Sequence, residues 1–579
     1  MLRRQFGKLD ETLSNSSSRS QSRVRTPMVD GEENGSLDVN FQSIEEMLAT
    51  KLDSLQLLLE KKQQEMLQDA AIGTGDTNPI LDGNSQDYLQ KTAKQFNQYR
   101  IQSSHTSINE IIVSLGASRS SVSSSSRELM LAQLYKLIVS RPLIVYNEEQ
   151  IGTDQYVTDD MVALLLKVLT SGDYRSPTEF LLLYRSCIAL LCSDIEEFGT
   201  LVSSDFLSYI SKLIQEPATS VITNENKASV VTGLASLLTI LHNGSSSFGI
   251  DDKISWLIEI AEGFTESSIQ LSKDIQTGDR EYSTLINDES DDKRIVNESN
   301  VKASGEAAVA IAALHGCACL LTLIAKGEFL NEFVTDLTAK LVTILDNDVN
   351  YEISKAAGRA IAICYEIYSY SEDEEDNDDD VGDDGELEYN YNAPYYEQEQ
   401  LFSILSRLAS LSTHKISKKE KKVTHSIFRD ILSTARTYTN PEERIEIYKK
   451  SPRGMEIVSE MMESSSYIKL SKSRSLPINS WFLYIRLIHL KWTFSFGVHN
   501  QLTSNESIRD ILREPATDFQ ERYGTSGADH MEAHGDYGTT ERFETDDKKR
   551  TNLIRKARVN KLTEEIEDLQ LGEGAEKKK

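Results

Sequence analysis

"GEAAVAIAALHGCACLLTLIAKG", residues 305–327, is the most apolar stretch of the chain and decides its fold class. From Ala307 to Ala325 it carries no formal charge, and that length is enough to cross a bilayer. Alanine gains little in lipid, however, and His315 and Gly316 lie near the middle of the stretch. We therefore predict a helix buried inside a larger helical protein, with no contact to a membrane.

Other apolar blocks with helical spacing recur along the first two thirds of the chain. They cover residues 43–67, 127–139, 160–170, 178–198, 206–216, 228–244, 254–264, 333–347 and 351–370. Many of their faces are too apolar to remain in water, and stacked helix pairs bury such faces against the next repeat. The pattern predicts an all-α fold, an irregular HEAT/armadillo-like α-solenoid with a C-terminal helical domain and disordered tails. No single repeat period fits, so an irregular all-α fold of another kind remains open.

Shifts in composition divide the chain into segments. The predicted segments are a disordered Ser/Arg-rich N-terminus at 1–40, the α-solenoid at 41–370 with mobile inserts near 116–126 and 266–300, an acidic disordered loop at 371–395, the last solenoid helices with the HSIFRDIL stretch at 396–477, a C-terminal domain at 478–540, and a basic C-terminal helix and tail at 541–579.

The five cysteines lie in apolar helical contexts, and their odd number and irregular spacing argue against a disulfide framework. A reducing compartment follows from this usage. We predict a cytoplasmic protein, and an additional nuclear pool is compatible with the sequence.

A search for reactive constellations returns no catalytic set. The chain has no phosphate-binding glycine loop, and "HGCAC" (315–319) lacks the paired ligand spacing of zinc modules. "HMEAH" (530–534) places the glutamate away from the position next to the first histidine that zinc proteases need. We predict no enzyme activity, no cofactor, no metal site and no small-molecule substrate.

Charge is distributed unevenly along the chain. The formal net charge is -29, and twelve acids without an intervening base lie between 372 and 388. Between 542 and 561, in contrast, eight bases face three acids. Basic clusters that neutralise phosphates gain counterion-release free energy, so the local reversal of sign favours a polyanion as the partner of this segment.

Two basic groups are the candidate sites. The predicted RNA-binding residues are Lys548, Lys549, Arg550, Arg555, Lys556, Arg558 and Lys561, and the predicted secondary basic patch is Lys415, Lys418, Lys419, Lys421 and Lys422. A solvated helix face or a nuclear-import signal is an alternative interpretation of either group.

Two stretches carry a resemblance to a known family. "KKEKKVTHSIFRDILSTAR" (418–436) and "INSWFLYIRLIHLKWTFSFGVHNQLTSNESIRDIL" (478–512) resemble characteristic stretches of the interferon-related developmental regulator family, in a fungal-type member. The ending "IRKARVNK" (554–561) is similar to the basic tail of that family. The resemblance is specific across 415–561 and only architectural upstream, where 352–367 is similar to the last helical repeat of the family.

The resemblance implies a function that composition alone does not give. Family members are non-enzymatic α-proteins found on translationally idle ribosomes, with the basic C-terminal helix against rRNA in the mRNA and tRNA path. Others are described as transcriptional co-regulators that bind corepressor-type proteins. We therefore expect a ribosome and rRNA partner, with a nuclear co-regulator that acts as a protein-binding scaffold as the alternative.

The same stretches also predict core positions. Val423, Ile427 and Ile431 fall on one helical stripe, while Arg429 and Asp430 are expected to face outward. Four aromatic residues are expected to pack into a compact C-terminal helical domain rather than to stack on bases. They are Trp481, Trp492, Phe494 and Phe496.

Overall fold

The computed structural model has helices as its main elements, with two short strand pairs. The residues that the structure describes are 107–117, 124–140, 144–145, 156–244, 248–282, 289–347, 349–370, 393–410, 418–440, 443, 466–469, 475–478 and 480–512.

The helices are numbered in chain order. They are α1 Ile108–Gly116, α2 Ser124–Ser140, α3 Asp159–Thr170, α4 Pro177–Ser193, α5 Ile195–Phe198, α6 Ser204–Gln215, α7 Asn224–Leu241, α8 Ile250–Tyr282, α9 Glu289–Leu321, α10 Glu328–Leu345, α11 Tyr351–Ile367, α12 Gln398–Ser410, α13 Lys418–Thr439, α14 Trp481–Phe494, α15 Val498–Ser504 and α16 Glu506–Ile511. Short 3₁₀ turns cover Gly199–Leu201 and Ser495–Gly497.

Two strand pairs accompany the helices. Strands β1 (Ile144–Val145) and β2 (Tyr156–Val157) are parallel, and strands β3 (Ser466–Lys469) and β4 (Ser475–Ile478) are antiparallel, with Ser466 opposite Ile478. These strands are not predicted from the sequence, because segments this short carry too few residues for an alternating pattern.

Polar side chains fix where several helices begin. The hydroxyl of Ser107 accepts the backbone N–H of Glu110, whose carboxylate accepts the N–H of Ser107, and this is a complete capping box for α1. The hydroxyl of Ser176 accepts the backbone N–H of Glu179 at the start of α4, and Pro177 occupies the first helical position. Residues close in sequence therefore satisfy the first N–H groups of these helices.

Consecutive helices pack as six pairs, and the second helices of the pairs form a row. The pairs are α1 with α2, α3 with α4, α6 with α7, α8 with α9, α10 with α11, and α12 with α13. Each second helix also contacts the next one, so α2, α4, α7, α9, α11 and α13 lie side by side. This is the predicted all-α, HEAT/armadillo-like solenoid, in which one helix row is inner and the other outer.

The long apolar helix α9 lies inside this stack. It contacts α8, α7, α11 and α14, so its apolar sides all meet other helices. The segment Glu298–Leu321 is long and apolar enough to cross a membrane, but 83% of its most apolar window is buried in the protein. Gly316 lets α9 approach closely, since a Cβ there would lie 3.2 Å from Ala235 Cβ on α7. The helix is thus a scaffold element, as its alanine content predicts.

The insert predicted at 266–300 is helical over most of its length. Helix α8 continues to Tyr282 and α9 begins at Glu289, so the prediction of a mobile loop is wrong for these parts. Small polar residues form the contact between the two helices there: the hydroxyl of Ser268 donates to the Ala303 carbonyl at 3.0 Å. A polar segment resembles a loop in sequence, although backbone carbonyls on the partner helix satisfy its hydroxyls.

The other predicted segments are only partly described. Helix α2 begins at Ser124, within the insert predicted at 116–126, while residues 118–123 lie outside the described part. The same holds for the helix predicted at 43–67, the N-terminus at 1–40, most of the acidic loop at 371–395 and the basic tail at 541–579.

A close approach at Gly233 tests the packing of the inner row. A Cβ at this position of α7 would lie 2.6 Å from Tyr184 Cε1 and 2.7 Å from Trp492 Cη2, both on buried rings. We expect Gly233→Ala to lower the free energy of unfolding by about 1–3 kcal/mol, because neither ring has room to move. Urea denaturation followed by circular dichroism measures the change.

The matched control is Gly263→Ala in α8, where a Cβ would meet nothing within 4 Å. Because alanine is the better helix former, this variant should gain up to about 1 kcal/mol. Equal effects at the two glycines would contradict the packing described here.

Candidate functional site

The most elaborate polar site of the described residues surrounds α14, which lies along the inner helix row. This helix contacts α4, α7, α9 and α11, and thirteen of its fourteen residues are buried. Its sequence, WFLYIRLIHLKWTF, has no polar face because nearly every side of the helix is covered. The concave surface that solenoids usually offer to partners is therefore filled here by a segment of the chain itself.

The N-terminus of α14 is held by a carboxylate from α11. The two oxygens of Glu366 accept the backbone N–H groups of Trp481 and Phe482 at 2.8 and 2.9 Å. Ser480 accepts a third N–H, that of Leu483, at 3.2 Å. A negative charge at a helix N-terminus is favourable because the helix dipole is positive there. Glu366 thus satisfies two otherwise unpaired donors and fixes one end of α14 on the solenoid.

The C-terminus of α14 is held by an arginine and a tyrosine. Arg185 Nη2 on α4 donates to the Trp492 carbonyl at 2.5 Å, and the Tyr135 hydroxyl on α2 donates to the Thr493 carbonyl at 2.7 Å. The guanidinium of Arg185 also lies 5.1 Å from the ring centres of both Tyr135 and Trp492. A cation here complements the negative end of the helix dipole.

The middle of α14 carries Arg486, which binds the C-terminal ends of other helices. Its Nε and Nη2 donate to the hydroxyl and carbonyl of Thr322, just after α9, at 2.8 and 2.9 Å. Its Nη1 donates to Asn243 Oδ1, beyond the end of α7, at 3.0 Å and to the Ile511 carbonyl of α16 at 2.9 Å. Burial lowers the pKa of Arg486 to about 10, so the group stays charged at neutral pH. Three helix ends are joined by one cation.

After α14 the chain makes a tight contact with α2. A Cβ at Gly497 would lie 2.1 Å from the Val139 carbonyl oxygen, so only glycine fits. Ser495, which precedes this contact, has a φ of 44°, an uncommon backbone conformation for a non-glycine residue. Of the four aromatic residues predicted to pack, Trp481, Trp492 and Phe494 are buried, while Phe496 is 40% exposed.

Two buried histidines, His315 on α9 and His489 on α14, have pKa values that are shifted in opposite directions. Burial lowers the pKa of His315 well below 6.5, and the adjacent Arg359 lowers it further. Because Arg359 Nη1 lies 3.3 Å from His315 Nε2, that nitrogen accepts and the proton is on Nδ1. Burial also lowers the pKa of His489, but the Cys319 thiol and the Ile485 carbonyl outweigh burial, and the pKa is raised above 6.5.

The cysteines of "HGCAC" take part in this packing. Burial raises the pKa of the Cys317 thiol well above 9.0. Burial alone would also raise the pKa of the Cys319 thiol, but the neighbouring His489 outweighs it and the pKa falls below 9.0. Cys319 Sγ lies 3.2 Å from the Thr239 hydroxyl, and all five cysteines are buried. These thiols are interhelix contacts in a closed interior.

The predicted basic sites fall mostly outside the described residues. Lys548, Lys549, Arg550, Arg555, Lys556, Arg558 and Lys561 all lie there, and so does Lys415. Lys418 and Lys419 begin α13, followed by the half-buried Lys421 and the exposed Lys422. Their assignment to RNA stays a prediction.

The HSIFRDIL stretch is mainly a core element. Ile427 and Ile431 are buried and Arg429 is exposed, as the helical stripe predicts. Asp430, expected to face outward, is only 2% exposed, so that expectation is wrong. The helical stripe gave the wrong position for Asp430 because both α12 and α11 cover α13, and this widens the buried face of the helix. Thr434, one turn further on, accepts the indole N–H of Trp481 at 2.9 Å.

Sequence reasoning missed Glu366, Arg185 and Arg486, the polar groups that hold α14. An arginine inside the otherwise apolar block of residues 481–490 was the available signal, since a lone buried cation needs several acceptors.

The model of the family described as "Interferon-related developmental regulator (IFRD)" matches residues 285–435. The match runs from the region of α9 to α13 and includes most of the 418–436 stretch. It confirms the resemblance, although it lies further upstream than the 415–561 region expected to carry it and does not reach 478–512. No curated protein matches the chain.

Replacing Arg486 tests its role as the joint between helix ends. We expect Arg486→Leu to lower the free energy of unfolding by about 3–5 kcal/mol, because the Thr322 and Ile511 carbonyls and the Asn243 amide lose their donor while buried. Reaction of cysteines with a thiol reagent measures the opening of α14, which uncovers Cys319. Arg429→Leu, at an exposed arginine, is the control and should leave both readouts unchanged. Slow, wild-type thiol reaction in Arg486→Leu would argue against this role.

His315 predicts a pH dependence with a defined sign. Its folded pKa lies below the unfolded value of 6.5, so its contribution to stability is present above pH 6.5 and is lost as pH falls below it. The loss is about 1.4 kcal/mol for each pH unit until the folded pKa is reached. We expect His315→Gln to flatten the decline between pH 6.5 and 5 in urea titrations.

His489 has the opposite sign and serves as the comparison. Its raised pKa contributes stability that is fully present below pH 6.5 and is lost as pH rises through the folded pKa, so His489→Gln should lower stability by a constant amount below pH 6.5 and leave the slope between pH 6.5 and 5 unchanged. Parallel curves for the two variants would show that the assignments are wrong.

Proposed function

We propose that the protein is a non-enzymatic ribosome-binding factor. The proposal starts from the match of residues 285–435 to the model of the interferon-related developmental regulator family. The protein associates with translationally idle ribosomes, and its basic C-terminal helix contacts rRNA in the mRNA and tRNA path. The helical solenoid is the scaffold that positions this segment.

The contrast of charge between body and tail is the observation that supports the proposal most. Eight bases and three acids lie between 542 and 561 in a chain with a net charge of -29. An acidic body repels nucleic acid in general, so binding requires a site that accepts the tail and tolerates the body. A ribosomal channel with a fixed geometry meets that requirement.

The filled inner row bears on the alternative, a nuclear co-regulator whose solenoid groove holds a protein partner. Helix α14 covers the inner surface of α4, α7, α9 and α11 and is held there at both ends. A corepressor-type partner would have to bind elsewhere on the protein or displace a helix that is almost wholly buried. The ribosomal proposal needs neither, because its main contact is the tail.

Charge reversal in the tail tests the proposal. We expect the quadruple variant Arg555→Glu, Lys556→Glu, Arg558→Glu and Lys561→Glu to leave the 80S fraction in sucrose gradients of nutrient-starved cells. The salt slope of ribosome binding should fall by about 3 to 4, at about 0.7–0.9 per lost phosphate contact.

Lys577→Glu, Lys578→Glu and Lys579→Glu together form the control, since they reverse charge close to the tested segment but outside it. This variant should remain with 80S particles. Persistent 80S association of the quadruple variant would remove the proposed mechanism. A nuclear pool whose complexes resist nuclease would favour the co-regulator instead.

A further inference from the structure

A shallow pocket lies on the outer side of the solenoid, between α6 and α8. Its volume is about 450 Å³, and it is lined by Ser204, Leu207, Ser208, Ser211, Lys212, Gln215, Lys253 and Trp256. We refer to these eight residues as the outer groove. It is separate from α14, because neither α6 nor α8 supplies a residue to the polar contacts that hold that helix.

The groove has the lining of an anion-binding surface. Two lysines, the hydroxyls of Ser204 and Ser208 and a glutamine amide supply hydrogen-bond donors, and no carboxylate is among these lining residues. The third serine hydroxyl, that of Ser211, already donates to the Leu207 carbonyl at 3.0 Å. Two acids lie nearby without entering the lining: Asp252 precedes Lys253 in the sequence, and a carboxylate oxygen of Glu216 lies 3.5 Å from Lys212 Nζ. The Lys212–Glu216 pair is weak because its side chains are 71% and 54% exposed. An incoming phosphate therefore competes easily for Lys212.

Trp256 gives the groove a second kind of contact. Of the three tryptophans of the chain, Trp256 is half-buried, whereas Trp481 and Trp492 are only 2% and 1% exposed. A partly open indole between lysines offers a stacking surface for a base while the lysines neutralise phosphates. A phosphorylated peptide would use the lysines but would gain little from the indole. The combination favours a nucleotide of single-stranded nucleic acid.

We propose that the outer groove binds single-stranded RNA, with a base on Trp256 and phosphates at Lys212 and Lys253. This gives the protein a second RNA contact, remote in sequence from the basic tail. The choice of RNA as the ligand rests on the proposed ribosomal function, while the site rests on the groove itself.

The test uses the full chain carrying the quadruple tail reversal, so that the tail does not contribute to RNA binding. Fluorescein-labelled ten-nucleotide oligouridylate is titrated with the protein, and its anisotropy reports binding for every variant, including the one that lacks the Trp256 indole. Tryptophan fluorescence is a second readout in the variants that keep Trp256, because the other two indoles are buried. We expect quenching on binding, and an affinity loss of about 5- to 150-fold in Trp256→Ala. The double variant Lys212→Glu and Lys253→Glu should weaken binding and reduce the salt slope by about 1 to 2.

The double lysine variant still tests the proposal if Trp256→Ala fails to fold, since it changes only charged side chains of the outer groove. Comparison of its unfolding curve with that of the parent shows whether it is folded. Its matched control is Lys167→Glu with Lys340→Glu, exposed lysines on α3 and α10 that lie outside the groove. The control should bind oligouridylate as the parent does.

Three results would overturn the proposal: unchanged oligouridylate affinity in both groove variants, tighter binding of a phosphoserine peptide than of oligouridylate, or binding of uridine monophosphate or inorganic phosphate as tight as that of the oligomer. The proposed function fails separately, if the tail reversal leaves 80S association intact. Either proposal can therefore fail while the other stands.

Discussion

The anchoring of α14 by charges placed at its ends is the constraint on which the rest of the structure depends. A helix that is buried on nearly all sides cannot leave its terminal N–H and C=O groups to water, so the protein must supply their partners. Glu366 does so at the positive end of the helix, and Arg185 does so at the negative end. Each charge is opposite in sign to the end of the helix dipole that it faces, and both residues come from second helices of the repeats.

This arrangement changes how the solenoid holds together. In a simple solenoid each repeat contacts only its neighbours, so stability adds up locally. Helix α14 contacts four helices of the inner row, and Arg486 joins the ends of α7, α9 and α16. Distant repeats are thereby coupled through one segment. The solenoid behaves as a closed scaffold whose inner surface is occupied by α14.

Several features could be predicted from the residues alone because they depend on neighbours in sequence. The uncharged run from Ala307 to Ala325 predicts a buried helix, and the stripe of Ile427 and Ile431 predicts a core face. Residues 266–300 were misjudged because helix pairs can use small hydroxyl side chains that bond to the partner backbone, as Ser268 does. The outward position expected for Asp430 fails since two neighbouring helices widen the buried face of α13.

The sequence by itself determined the all-α class, the order of most helices and the contrast between an acidic body and a basic tail, because helical spacing and charge are local properties. Only the tertiary structure decided that α14 fills the inner row, that Glu366 caps a helix that begins 115 residues later, and that Trp256 lies beside two lysines. The physical reason is that such pairings join residues far apart in the chain. Their energy depends on which surfaces remain uncovered after the helices have packed, and no spacing rule within one helix contains that information.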